Sequence, residues 1–203
     1  MDSTNNQRDL VESLRPADKP RIMDLVAQAG INVSAWADYE GGSVKAAANP
    51  KFCYEWCFEQ DELIVLNIWY ENMRTEDGEV LQRLNLRKRE TDQSGLRKLR
   101  ADRFDRAIRL AFAKGLNPRV IVLDRKSIGE GGATARKLDE VAWTVSKYNE
   151  KTGDFELMRG VKANVGNEIP SGSDSALEGQ IKEILVRHRK RERTLRRQKI
   201  CDF

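Results

Sequence analysis

The sequence predicts an α+β fold, with a mixed, mainly antiparallel sheet, two packed helices and a long basic C-terminal helix. Residues 52–58 place aromatic side chains at every second position, which is the period of a β-strand. Residues 104–112 repeat apolar side chains at helical spacing. Eight basic residues fall between positions 187 and 199. The 203-residue chain is long enough for one ordinary domain and an extension.

The first half of the chain contains one predicted helix and three predicted strands. Residues 1–15 are polar and are expected to be disordered. A helix is predicted over residues 19–29, because its apolar side chains fall at i, i+3, i+4 and i+7. Residues 52–58, 63–70 and 80–86 are predicted to pair as antiparallel strands, with all aromatic side chains of the first strand on one face. A turn is predicted at Asp77 and Gly78, before the third strand.

The second half begins with a predicted helix over residues 95–114, which ends before a glycine. Residues 120–123 are wholly apolar and predict a short central strand. Residues 142–148 and 155–158 are predicted to form a hairpin around a glycine-containing turn. Residues 16–160 are therefore expected to form one α+β recognition domain.

Residues 161–175 are rich in Gly, Asn and Ser and predict a linker, and residues 176–203 predict a basic helical connector. The segment 187–199 carries a net charge of +7, whereas the rest of the chain carries −3. Such a helix suits phosphate contacts, because Lys and Arg release counterions from a nucleic-acid backbone; a solvated linker helix is the alternative. The predicted phosphate-binding residues are Arg187, Arg189, Lys190, Arg191, Arg193, Arg196, Arg197 and Lys199.

Several function classes find no support in the sequence. The apolar runs are too short to span a membrane, and the polar N-terminus does not resemble a secretory signal, so a soluble cytoplasmic protein is expected. Cys53 and Cys57 lack a second pair of metal ligands, so no metal is expected. With His188 as the single histidine and no GK[ST] after the glycine run at 129–132, neither a catalytic residue nor a cofactor is predicted.

Six aromatic residues within 35 positions are candidates for binding a nucleobase. Most aromatics at a period of two are expected in a core, whereas Trp36 and Tyr39 lie beside glycines on a predicted loop and are the preferred candidates. A second basic cluster, residues 83–109, is interspersed with acids and fits either a salt-bridged surface or a binding surface. The six aromatics are Trp36, Tyr39, Tyr54, Trp56, Trp69 and Tyr70.

A scattered set of residues resembles the N-terminal region of bacterial HNH endonucleases, including enzymes that restrict modified DNA. The set comprises Asn49, Pro50, Tyr54, Glu55, Trp56, residues 120–124, Arg136, Leu138, Asp139, Trp143, Tyr148, Gly153, Arg159 and Gly160. The resemblance covers roughly residues 20 to 160. In that family a basic connector leads into the HNH nuclease, whose His and Asn residues are absent from this sequence. Metal-dependent cleavage is therefore not expected of the residues present.

The resemblance and the charge pattern together predict a DNA-binding specificity module whose partner is double-stranded DNA, with a modified base as one target that the resemblance implies. The alternative is a protein-interaction or scaffold module with a basic tail. An enzyme acting on a small molecule is a third class, with Glu55, Asn67 and Asn72 as its polar candidates. A homodimer is left open by the sequence.

Overall fold

The computed structural model describes residues 10–89, 95–127 and 131–160. The strands are β1 (Cys57–Gln60), β2 (Leu63–Trp69), β3 (Arg74–Glu76), β4 (Glu79–Leu84), β5 (Arg119–Asp124), β6 (Ala135–Leu138), β7 (Trp143–Tyr148) and β8 (Phe155–Arg159). The α-helices are α1 (Ile22–Gln28), α2 (Gly42–Lys45), α3 (Leu86–Arg89) and α4 (Leu96–Lys114), and short 3-10 turns cover Ser34–Ala37, Ala46–Ala48 and Tyr70–Asn72. The α+β class is thereby confirmed.

The strands form two four-stranded sheets instead of the single sheet that the sequence predicts. The first has the order β1-β2-β5-β6 and the second the order β3-β4-β8-β7. β2 and β5 pair in parallel, while every other pair described is antiparallel. A parallel pair requires a long crossover. Here β3, β4 and α4 lie between the two strands in sequence, so the second sheet begins within that crossover.

The first sheet is buried on both faces. Alternate residues of β2 and β5, including Leu66 and Val122, join Phe104 and Ile108 of α4 in one core. The intervening residues Val65 and Ile121 join α1 and Trp36 in a second core. Burial on both faces explains why β5 is a continuous apolar run instead of an alternating one.

The predicted third strand of the first sheet is wrong in its pairing, because β4 lies in the second sheet between β3 and β8. Tyr70–Asn72 forms a 3-10 turn that ends β2 and redirects the chain. Asp77 and Gly78 both have positive φ and close the β3–β4 hairpin. The turn at Asp77 is thus recovered from the sequence, while the change of sheet is not.

The predicted strand over 52–58 is also wrong in its first half, because β1 begins only at Cys57 and residues 51–54 form turns. Asn49 causes the difference. Its backbone oxygen accepts hydrogen bonds from the amides of Phe52 and Cys53, and its side-chain oxygen accepts one from Lys51. Such turns compete with strand formation, so the aromatic residues do not share one face.

The helix predicted over 95–114 and the hairpin over 142–158 are confirmed as α4 and as β7 with β8. In the described ranges, no helix is long and apolar enough to cross a membrane. The predicted linker and the basic C-terminal helix lie outside the described residues.

Candidate nucleic-acid interface

Trp36, a preferred base-binding candidate, lies in the core. Its ring stacks on those of Phe52 and Phe58, with centroids 5.2 and 5.9 Å away, and the residue is 2% exposed. The side-chain amide of Asn49 donates a 3.0 Å hydrogen bond to the Trp36 carbonyl oxygen. A base held between Trp36 and Tyr39 does not fit this arrangement, because Trp36 presents almost no surface.

The other five aromatic candidates lie in different surroundings. Tyr39 is 39% exposed and Tyr54 is 63% exposed. Trp56 and Tyr70 pack against the core that contains α4. Trp69 is half-buried at the end of β2. Tyr54 therefore presents the largest exposed fraction among the six predicted residues.

Charged side chains surround Trp69 and Tyr70, where the parallel strands β2 and β5 both end. The Arg125 guanidinium lies 4.3 Å from the Trp69 ring centroid and pairs with Glu71. The Tyr70 hydroxyl donates a 2.7 Å hydrogen bond to Glu12, and burial together with this bond raises the pKa of Tyr70 to about 12. These side chains already pair with one another. The cluster is therefore better interpreted as a structural network than as a ligand-binding site.

An open groove of about 620 Å³ lies at the ends of β4, β7 and β8. Its buried carboxylate, Glu156, accepts hydrogen bonds of 2.6 Å from Arg83 and from Ser146 and forms a 3.2 Å ion pair with Lys147. Burial acts to raise the pKa of Glu156, but these bonds outweigh it and hold the pKa below its usual range. The carboxylate is thus already satisfied by the fold.

Helix α4 carries an arginine at every third position, which we call the arginine row. Consecutive members are separated by about 4.5 Å along the axis and about 60° around it, so the row runs obliquely across the surface. Its last three members are about half exposed. The row consists of Arg97, Arg100, Arg103, Arg106 and Arg109.

Carboxylates of other elements partly neutralise the arginine row. Glu55 lies 3.1 Å from Arg103, and Glu59 lies 2.8 Å from Arg106. The pair of Arg109 with Glu150 is 4.0 Å long. Only the pair of Arg109 with Glu150 is exposed on both sides and belongs to the class that contributes about 0–1 kcal/mol. The ion pairs favour a salt-bridged surface, but the three arginines keep about half of their side-chain surface in solvent, where phosphates can contact them.

The described ranges contain no group of three or more His, Cys, Asp and Glu side chains that could hold a metal ion. Cys53 and Cys57 are free thiols. Burial is the main reason that the pKa of each is raised, for Cys57 to about 12. Both thiols are therefore protonated at neutral pH and are poor nucleophiles.

Among the polar residues named for the small-molecule enzyme class, Asn67 and Glu55 have local structural contacts, whereas the Asn72 side-chain nitrogen is buried with no hydrogen-bond partner in the described part of the chain. The Asn67 side-chain amide donates a 2.8 Å hydrogen bond to the backbone oxygen of Glu55. Glu55 holds two arginines of the row, and Asn72 ends a 3-10 turn. The predicted phosphate-binding residues 187–199 lie outside the described residues.

No protein-family model, curated protein or solved structure matches this chain. The resemblance to the HNH endonuclease region therefore stays a prediction.

Proposed function

We propose that this chain is a DNA-binding specificity module of the kind that accompanies an HNH nuclease in restriction-type endonucleases. The arginine row is the observation that carries the proposal. α4 has seven basic residues against two acidic ones. Guanidinium groups on the exposed side of α4 offer a series of phosphate contacts, which position a protein on DNA without reading its sequence.

The exposed arginines of the arginine row are accessible to DNA phosphates. Arg103, Arg106 and Arg109 keep about half of their side chains exposed beside their carboxylate partners, and Arg97 has no ion pair within the described part of the chain. A DNA strand that binds here adds phosphate contacts to these arginines and gains entropy from the counterions that leave it. The basic residues of 187–199 are proposed to add contacts of the same type.

Replacing Arg103, Arg106 and Arg109 together with glutamine is expected to weaken duplex binding about tenfold at moderate salt, since each contact contributes on the order of 0.5 kcal/mol. The slope of log affinity against log salt should become shallower by up to about 2.7, or 0.9 for each lost phosphate contact. Fluorescence anisotropy over a salt series measures both quantities.

A matched control replaces three exposed lysines on other elements, Lys45, Lys137 and Lys151, with glutamine. This variant loses the same net charge and should keep most of the slope. Equal losses in the two triple variants would show that net charge alone attracts DNA. If the wild-type chain binds no duplex at low salt, the proposed function is wrong.

A protein-interaction module is the second candidate, and exposed apolar side chains favour it. Leu96 and Leu99 at the start of α4 are 66% and 44% exposed. An apolar protein interface depends little on ionic strength, whereas phosphate contacts weaken steeply as salt rises. The salt series therefore separates the two functions.

We further propose that the module distinguishes modified from unmodified DNA, which rests on the resemblance and on an exposed aromatic side chain. Matched duplexes with no modification, methylated cytosine, hydroxymethylated cytosine or methylated adenine provide the test. One modified duplex should bind about tenfold more tightly, a gain within the range of one aromatic stacking contact. Tyr39→Ala tests the exposed member of the predicted pair. Equal affinity for all four duplexes would remove modification reading and leave DNA binding intact.

A further inference from the structure

Tyr54 lies beside the N-terminal part of α4 in a surface that we call the Tyr54 patch. The patch consists of Tyr54, Leu96, Leu99, Arg100 and Arg103. The four helical residues follow the i, i+3, i+4, i+7 spacing and therefore share one face of α4. The Arg100 guanidinium lies 5.7 Å from the Tyr54 ring centroid, which connects the ring to this face.

The Asn49 turn explains why Tyr54 projects outward. Phe52 and Phe58 pack on Trp36, whereas Tyr54 lies within the turn between them and keeps most of its surface in solvent. Its hydroxyl has no hydrogen bond within residues 10–89, 95–127 and 131–160. Apart from the Arg100 guanidinium beside its ring, Tyr54 has no described polar partner, so its exposed ring surface is available for stacking.

Glu55 orients both arginines of the patch. Its carboxylate lies 3.8 Å from Arg100 and 3.1 Å from Arg103, and its side chain is only 12% exposed. The acidic group is thus turned inward, while the aromatic ring, the two leucines and Arg103 face the solvent. The patch combines an apolar platform with positive charge and presents no exposed carboxylate of its own.

We propose that the Tyr54 patch stacks on an unpaired nucleobase, with Arg103 contacting the adjacent phosphate; this inference rests on the proposed function. An aromatic ring beside arginine is the combination that holds unpaired bases, because every base has a stacking face and every nucleotide a phosphate. The two leucines alone would also suit a protein partner, but the arginines beside the ring add the positive charge that a phosphate complements. Complementary charge therefore assigns the patch to nucleic acid.

Three DNA molecules with a common sequence test the inference: a perfect duplex, a duplex with one unpaired adenine and a single strand. The wild-type chain should bind the duplex with the unpaired base about tenfold more tightly than the perfect duplex, within the range for one stacked base. If the chain prefers only the single strand, the unpaired base that the patch binds belongs to single-stranded DNA. A fluorescent purine analogue at the unpaired position should be quenched on binding.

Tyr54→Ala should remove the preference and the quenching while leaving affinity for the perfect duplex unchanged. Tyr54→Phe should retain both, because the hydroxyl is not needed for stacking. Val44→Ala is the matched control, since Val44 is 91% exposed on another element. If all duplexes bind equally and Tyr54→Ala has no effect, the inference is wrong although the module binds DNA. If none binds, the proposed function fails with it.

Discussion

Asp139→Asn is expected to lower the free energy of unfolding by about 3–5 kcal/mol, the cost of removing one partner from a buried ion pair. Asp139 is 2% exposed and follows β6 of the first sheet. One carboxylate oxygen accepts hydrogen bonds of 2.8 Å from Trp143 Nε1 and from Arg159 Nε, both in the second sheet. The other accepts bonds from Arg159 Nη2 and the Val141 amide. Either orientation of an asparagine turns its NH2 group toward two donors.

Acid should remove the same contribution from the wild-type protein. Burial acts to raise the pKa of Asp139, but the hydrogen bonds from Arg159, Trp143 and Val141 outweigh it, so the pKa is lowered. A carboxylate of this kind stabilises the fold fully above its unfolded pKa of about 3.9 and loses that effect as pH falls through the folded value. The stability difference between wild type and D139N should be constant above about pH 5 and shrink below about pH 4.

Urea unfolding at several pH values measures this difference, with Asp102→Asn as the matched control. Asp102 pairs with Lys98 at 2.8 Å, but both side chains are more than half exposed. Its loss should cost less than about 1 kcal/mol. Equal destabilisation by the two variants would contradict the special role of Asp139 in joining the sheets.

The sequence correctly predicted those elements whose apolar side chains follow a single clear pattern. α4 follows from apolar side chains repeated on one helical face, and β5 follows from a continuous apolar run that is buried on both faces. The turn at Asp77 and Gly78 was recovered for a local reason, since few residues accept positive φ. The division into two sheets was not recovered. It depends on which strand β4 meets across 71 residues or more, and short-range patterns carry no such information.

The candidate site was recovered in part. The sequence named Tyr54 among six aromatics but preferred Trp36, because glycines near Trp36 suggested an exposed loop. Asn49 makes Tyr54 the better candidate, because it donates a hydrogen bond to the Trp36 backbone and starts the turn that leaves Tyr54 exposed to solvent. The arginines at every third position are visible in the sequence. Their pairing with Glu55 and Glu59 is not, because those acids lie about 50 residues away.

Several residues on which the proposed HNH resemblance rests hold the fold together. Asp139, Trp143 and Arg159 form one buried group, and Tyr148 donates a 3.0 Å hydrogen bond to Asp105 of α4. The role of these residues is therefore explained by their contribution to the stability of the fold, with no need for a role in binding. Tyr54 has no such role among its described contacts, which is the physical reason for placing the binding hypothesis there.

Gly153→Ala is expected to lower the free energy of unfolding by about 2–4 kcal/mol, combining backbone strain with displaced hydrogen bonds. Gly153 has φ +77° in the β7–β8 turn, and a Cβ there would lie 2.5 Å from Cδ of Arg87. Arg87 is not free to move away. It donates hydrogen bonds to Asp105, to the Tyr148 hydroxyl at 2.7 Å and to the backbone oxygen of Glu150 at 2.9 Å.

Gly78→Ala separates the two contributions, because Gly78 has nearly the same φ, +79°, with no atom within 4 Å of the added Cβ. That variant should lose only the conformational part, about 1–2 kcal/mol. In an Arg87→Ala background, Gly153→Ala should then cost no more than Gly78→Ala, since the displaced side chain is gone. Thermal and urea unfolding of the four variants measure this coupling. An excess cost that persists without Arg87 would place the clash elsewhere in the turn.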